Sequence, residues 1–206
     1  MAYHNYFLWM SIDQNNPEEI FQEELQDLHS AVKDAAHEYH LFTVATSSNN
    51  TPELRTVVLR DIDLDNYKIS FHTDSRSPKY NQLIKNSSVS ALFYSVSKRT
   101  QIRIKGNAEA SKDKKLLGSL WDKLSKDSKE CYQGEIPPSG IMPDTKILND
   151  IIDDPSMDNN NFGFENFSRI TIDVSSFEIL RLHHLGHKRL LCDLSQNNTD
   201  FQWIAS

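Results

Sequence analysis

Apolar residues recur at helical spacing near the start of the chain and at strand spacing from Leu41 onward. Phe21, Leu25, Leu28, Val32 and Ala35 follow one another at intervals of four and three, an apolar stripe over about five turns. Asn16, Pro17, Glu18 and Glu19 stand in front of it as a capping residue, a proline where no amide is needed and two acids against the positive helix end. This predicts a helix over 17–38 that covers something. Short runs rich in Val, Ile, Thr and Phe then predict strands at Leu41 to Thr46, Leu54 to Arg60, Lys68 to Thr73, Ser88 to Ser95 and Thr100 to Ala108. Asn49-Asn50-Thr51-Pro52 and Asp63-Leu64-Asp65-Asn66 supply turns between them, so consecutive strands should pair as antiparallel hairpins.

Two helices interrupt the meander. Ser77-Pro78-Lys79 opens one, with Tyr80, Leu83 and Ile84 on its apolar side and Asn86 at its end. The other runs from about Lys112 to Leu124, with Leu116, Leu117, Leu120, Trp121 and Leu124 on one face. Gln133 to Phe164, rich in Pro, Gly, Asp and Asn, reads as a long loop around one apolar piece, Ile147 to Ile152. Strand character returns at Ile170 to Leu182, Lys188 to Asp193 and Phe201 to Ile204. About eight strands without a strand-helix rhythm predict a mainly β fold, an antiparallel barrel with flanking helices, and disfavour a Rossmann sheet. The whole chain, 1–206, is expected to be one domain, its barrel contributed by about 41–110 and 166–206.

Composition narrows the class. The 206 residues carry 22 Lys and Arg against 29 Asp and Glu, a net charge of −7, which argues against nucleic acid as a partner and for a small ligand. Tyr6 to Met10 is too short to cross a membrane and lacks a basic flank, so a cytoplasmic protein without membrane association is expected. Cys131 and Cys192 form no metal-ligand doublet and suit a reducing compartment. His183, His184 and His187 cluster without a carboxylate motif, so no metal is expected, and His37 and His40 read as favourable charges at the end of the first helix. The two commonest phosphate-cradling glycine loops are absent.

The informative stretch is Arg55-Thr-Val-Val-Leu-Arg60, Phe71-His-Thr-Asp74, Ser77-Pro-Lys79 and Gln101-Ile-Arg-Ile-Lys-Gly-Asn-Ala-Glu109. It offers arginines at both ends of a buried strand, a helix start with a hydroxyl and a lysine, and a strand whose polar face carries Gln101, Arg103 and Lys105. Such a set recognises anions well, through charge-assisted bonds of about 1.5 to 3 kcal/mol each. Arg55 and Arg60, five positions apart, should point to opposite faces and so not grip the same oxygens.

In order and spacing these segments resemble the pyridoxamine 5'-phosphate oxidase-like FMN-binding split-barrel family, from Arg55 to Glu109 without gaps and more loosely from Leu41. The resemblance implies that Arg55 holds the FMN phosphate, that Thr56, Val57, Val58 and Leu59 run along the isoalloxazine, and that Arg60 adjoins flavin and substrate. His72 and Thr73 match a flavin-contacting pair that more often begins with an aromatic hydroxyl residue. Ser77 and Lys79 match the phosphate-binding Ser-Arg-Lys motif, with Pro78 in place of its arginine, and Gln101 matches a glutamine bonded to the ring. Near the C-terminus Gly186-His187-Lys188-Arg189 fits a His-x-Arg element, which makes Arg189 a flavin contact delivered from the second subunit of a homodimer and puts His187 beside the substrate. An alternative register sets Arg181-Leu-His183 on the Arg-Leu-His of true oxidases.

The substrate grip departs from the family. In Trp121 to Ser128 only Lys126 and Ser128 stand where a Tyr, an Arg and a Ser hold the substrate phosphate, and the want of two such groups would weaken a phosphorylated substrate by about 3 to 6 kcal/mol. The expectation is therefore an FMN-dependent oxidoreductase acting on a small molecule not necessarily pyridoxamine phosphate. A flavin or haem binding, storage or sensing protein of the same fold is the alternative. No catalytic residue is identifiable.

Overall fold

A computed structural model describes residues 16–142, 161–195 and 199–206. Helix α1 (Pro17–Ala31) starts as its sequence dictates, with the Asn16 side chain accepting from the amides of Glu18 and Glu19. It stops seven residues earlier than 38 (38 − 31), because the next stretch spends its polar groups on turns. Asp34 accepts from the Ala36 amide, His37 Nδ1 accepts from that of Tyr39, and His40 Nδ1 lies 2.7 Å from the Ala31 carbonyl left over at the helix end. Of the expected apolar stripe, Val32 is only half-buried and Ala35 is exposed.

Strands β1 (Leu41–Ser48), β2 (Thr51–Val58), β3 (Asp61–Asp63), β4 (Lys68–Asp74), β5 (Ser88–Ser95), β6 (Thr100–Ala110), β7 (Phe167–Arg181), β8 (Lys188–Asp193) and β9 (Asp200–Trp203) form one antiparallel sheet. The β1–β2 turn is tighter than expected: Asn49 and Asn50 alone adopt positive φ, 50° and 64°, while Thr51 and Pro52 already belong to the edge strand β2. Strand β3, too short to show a period in the sequence, closes on β4 through a turn whose Asp63 carboxylate accepts from the Asp65 and Asn66 amides. Helix α2 (Pro78–Lys85) follows β4, and α3 (Lys114–Asp122) and the unexpected short α4 (Lys126–Glu130) follow β6. Residues 133–142 and 161–163 carry turns, as a loop should, whereas Ile147 to Ile152 lies outside the described residues.

Neighbours in the sheet run β2-β1-β5-β6-β7-β4-β3, with β8 on β7 and β9 on β8. The long β7 is shared: Phe167 to Asp173 pair with β4, and Ser176 to Arg181 pair with β8. That division splits the barrel. Phe42 stacks on Phe93 at 4.6 Å and meets Phe71 edge-on at 6.1 Å in its core, while α1 seals one end through Phe21, set against Tyr67, Phe177 and Phe201. Where β6 slips register between Lys105 and Gly106, a Cβ on Gly106 would stand 2.2 Å from the Asp173 carbonyl oxygen. Gly106→Ala should therefore cost about 2 kcal/mol, read as a fall of about 4 to 8 °C in thermal midpoint. An unchanged midpoint would show that the two strands part freely here.

Among the described residues no helix is long and apolar enough to cross a membrane.

Candidate functional site

Arg55 shares a face of the sheet with Val44, its direct partner on β1, and with buried Val57, so its side chain lies along the core side of the barrel wall. There it donates to Thr46 Oγ1 at 2.5 Å and Gln82 Oε1 at 3.1 Å, and Thr46 donates to the same Gln82 oxygen at 2.6 Å. Gln82 belongs to α2, so these bonds fasten the helix over this mouth of the barrel. Lys79 comes from the first turn of the same helix. Burial and then repulsion from Arg55 hold its ammonium below the ordinary lysine range. Burial likewise lowers Arg55, only partly offset by Glu53, whose carboxylate is 3.4 Å away and 45% exposed. Two cations are thus held together while Lys79 makes no ion pair among the described residues. A dianionic phosphate is the chemistry that such a pair fits.

An open groove of about 450 Å³ lies across β1, β5 and β6, lined by Ser47, Ser88, Ser90, Lys105 and Asn107 among others, and neither Arg55 nor Lys79 lines it. Ser77 contributes less than its position promises. It is 1% exposed and makes no side-chain cap; its hydroxyl donates to the Asp74 carbonyl at 2.7 Å and touches Thr73 Oγ1 at 3.2 Å. Pro78 has no amide, and those of Tyr80 and Asn81 turn to the Ser77 carbonyl.

Gln101 lies on the other side of the wall. Register runs Thr56, Thr43, Leu92, Arg103, Glu178, Leu191 across β2, β1, β5, β6, β7 and β8, one stripe on the outer face. Gln101 pairs with Tyr94 and Leu180 on that face, and Leu180 pairs with Arg189. Arg189 and Arg103 both bind Glu178, at 2.8 and 3.1 Å. The structure therefore brings Arg55 to Lys79 and Gln101 to Arg189, but does not bring the two pairs together on one face. Thr56 is exposed, Val57 and Leu59 are buried and Val58 is half-buried, as a strand with one face on the core requires.

A third group lies across β4. Arg60 falls past the end of β2, its amide bonded to the Ser70 carbonyl at 2.8 Å, so it does not reach the surroundings of Arg55. His72 is the register partner of Arg169 and stands edge-on to Phe167 at 4.8 Å. Phe167 also meets Tyr132 at 5.2 Å and Trp121 at 5.6 Å. Thr73 points the opposite way and is 3% exposed. Nothing in the sequence drew Tyr132 or Trp121 to this place, because each comes from a segment far along the chain from β4.

Burial foremost, then Arg60 and Arg169, pushes the His72 imidazole down to about 4, with Asp61 acting weakly the other way. A histidine held neutral in the fold and free to protonate in the unfolded chain gives stability that is complete above about 6.5 and lost as pH falls toward about 4. The loss should reach about 3 kcal/mol. Urea midpoints of the parent and of His72→Phe between these pH values check it: their difference should narrow on acidification, and parallel curves would contradict a neutral His72.

Other expected residues have local duties. Ser128 accepts from Ser125 at the start of α4, and His187 accepts from the His183 amide on an exposed turn. Arg181 is buried against Glu23 and Glu24 of α1, which leaves the alternative Arg-Leu-His register without an accessible arginine. Among the described residues no three His, Cys, Asp or Glu side chains assemble as a metal set.

Comparisons with known proteins fit this geometry. Residues 18–112 match the family described as pyridoxamine 5'-phosphate oxidase, FMN-binding domain. No curated protein sequence matches. A pyridoxamine 5'-phosphate oxidase-related, FMN binding protein from Nostoc punctiforme superposes with a TM-score of 0.72 at 19% identity, covering 90% of this chain and 97% of its own. PhzG from Burkholderia lata, in complex with tetrahydrophenazine-1-carboxylic acid, gives 0.73 at 18% identity, with 94% and 95% covered. A Clostridium acetobutylicum protein related to general stress protein 26 gives 0.54 at 13% identity, with 84% and 96% covered. By sequence, residues 18–112 match the FMN-binding domain of the pyridoxamine 5'-phosphate oxidase family, and over nearly its whole length the chain shares the fold of the Nostoc and Burkholderia structures.

Proposed function

We propose that the protein is an FMN-dependent oxidoreductase of the cytosol, working as a homodimer with FMN at the subunit interface. The carrying observation is the Arg55–Lys79 pair, two cations held against one another at a barrel mouth, with the Glu53 carboxylate at the rim beside Arg55 and Asp74, itself bound to Arg76, acting weakly on Lys79. They would hold the ribityl phosphate, with Thr46 and Gln82 keeping the Arg55 guanidinium aimed. The backbone of Thr56 to Leu59 would flank the ring, and the flavin, once bound, supplies hydride chemistry.

Alternation along the strands supports the dimer. Gln101 and Arg189 share the outer face, away from Arg55, so a second copy is needed to set them against the flavin bound by the first. The same face carries Leu41, Leu54, Leu92 and Tyr94, exposed by 54%, 65%, 38% and 44% on three adjacent strands, and apolar surface concentrated in this way marks an interface. Cys131 and Cys192 are both free, in keeping with a reducing compartment.

The visible spectrum of the purified protein tests the cofactor, since flavin and haem absorb differently, and sedimentation at micromolar concentration tests the dimer. A colourless protein that gains no thermal stability from added FMN would reject the reading; a hundredfold excess over the dissociation constant should stabilise by about 2.7 kcal/mol. Anaerobic photoreduction followed by candidate oxidants separates turnover from storage.

A further inference from the structure

We infer that Glu178 is a positioning residue of the flavin site: its carboxylate aims Arg189 and sets how much positive charge Arg103 and Arg189 together present. The inference rests on the flavin reading for what Arg189 reaches in the partner copy, but not for how Arg189 is held.

Strand alternation brings the three groups together. Glu178 stands on β7 directly opposite Arg103 of β6, two positions before Leu180, which is the partner of Arg189 on β8. All three point to the outer face, where long side chains placed diagonally across neighbouring strands can meet. The Glu178 side chain is only 16% exposed, against 25% for Arg189 and 48% for Arg103, so the carboxylate is more shielded from water than either cation it binds.

A single oxygen does the holding. Glu178 Oε1 accepts from Arg189 Nε at 3.0 Å, from Arg189 Nη2 at 2.8 Å and from Arg103 Nη1 at 3.1 Å. Two bonds to one atom fix the plane of the Arg189 guanidinium, and they occupy only its side edge. The end of the group stays available, because the Ala205 carbonyl, 3.4 Å from Nη1, is a distant partner. What remains is a fork of N–H groups suited to a flat ligand with two neighbouring acceptors. The pyrimidine edge of a flavin ring is of this kind.

The charges do not cancel. Two guanidinium groups and one carboxylate leave a single positive charge. Among the described residues no other acid stands in the register row of Glu178 or in the neighbouring row that carries Gln101 and Arg189. Without the carboxylate the two arginines would repel each other, and Arg189 would be free to swing away. A reduced flavin ring is more negative than an oxidised one, so a cation beside it favours reduction and a carboxylate behind that cation moderates the effect.

Side-chain nitrogen NMR and flavin potentiometry, both on the full-length protein, test this. In flavin-free protein the Arg189 Nε–H should exchange slowly with water in the parent and in Glu178→Gln, whose amide oxygen still accepts, and at least about tenfold faster in Glu178→Ala. Glu178→Asp, a carboxylate drawn back by one methylene, takes the place of Glu178→Ala if the latter fails to fold. FMN should bind Glu178→Ala about threefold to tenfold more weakly, because the arginine must then be ordered on binding. In Glu178→Gln the grip stays but the negative charge is gone. The balance of reduced over oxidised flavin should therefore rise about tenfold, about 30 mV upward for a two-electron couple. Arg103→Met, with Arg189 still held, should move the potential the other way. A purely structural Glu178 would shift thermal midpoints and leave exchange rate and potential as they were. An Arg189 Nε–H as protected in Glu178→Ala as in the parent, or a potential in Glu178→Gln that stays or falls, overturns the proposal. Failure of the flavin reading looks different: a protein that never retains FMN, yet releases Arg189 in Glu178→Ala, sustains the positioning and rejects the flavin, while a flavoprotein whose potential and exchange are blind to Glu178 does the reverse.

Discussion

Arg55→Ala should leave a folded protein that no longer holds FMN. The guanidinium is the most firmly placed cation at the barrel mouth, and each charge-assisted bond to a phosphate oxygen is worth about 1.5 to 3 kcal/mol when shielded from water. Removing a bidentate grip of that strength lowers affinity roughly a hundredfold or more. The fold should survive, because Thr46 still donates to Gln82 and keeps α2 docked on β1. Lys79 should titrate higher in the variant, since burial remains but the repulsion of Arg55 has gone. The visible flavin-to-protein ratio after gel filtration measures the effect, and a variant as yellow as the parent would refute the phosphate site. Lys79→Gln should weaken binding less, because an ammonium meets phosphate as a point charge and not as a fork.

The second large effect lies at the opposite end of the barrel. Arg181, 7% exposed in its side chain, donates to Glu23 and Glu24 at 2.6 Å each, and Lys98 reaches Glu23, Glu24 and Asp27 at 3.2, 3.0 and 2.8 Å. Tyr39 adds a bond to Glu24 at 3.0 Å. Arg181→Ala would strand Glu24, only 2% exposed, with one cation in place of two. Breaking a buried pair in this way costs about 3 to 5 kcal/mol, a drop of roughly 6 to 20 °C in the thermal midpoint of a protein this size. Replacing the anions as well, in Glu23→Gln with Glu24→Gln and Arg181→Met, should recover much of the stability. A single variant as stable as the parent would show that the network contributes orientation without stability.

Most of the strands were legible because alternation survives wherever one face meets a core: β5 and β8 lie where the pattern placed them. β3 was not, since Asp61-Ile62-Asp63 is too short to carry a period. The apolar spacing of Val32 and Ala35 misled because competition from the Asp34 and His37 side chains ends α1 first. At the candidate site, Arg55 and Lys79 stood close in the chain and could be read as a unit. Ser77 could not be read correctly, since its hydroxyl has a nearer acceptor in the Asp74 carbonyl than any cap. The outer-face location of Gln101 follows only from the pairing register. The α1 network and the Tyr132 wall stayed hidden because their members come from remote stretches, Arg181 lying 157 positions from Glu24.

The sharing of β7 between two partners bears on how the chain acquires its shape. Ser70 and Thr171, bonded at 3.0 Å, are 101 positions apart, so β4 must wait for most of the polypeptide to be made before it gains a neighbour on that side. Distant pairings of this kind slow collapse to the native topology and prolong the exposure of unpaired edges. During synthesis β1, β2, β5 and β6 can assemble as a curled ribbon, with β7 arriving later as the keystone on which β4 and β8 then pair. Truncation before Phe167 would leave that ribbon open on both sides and prone to self-association.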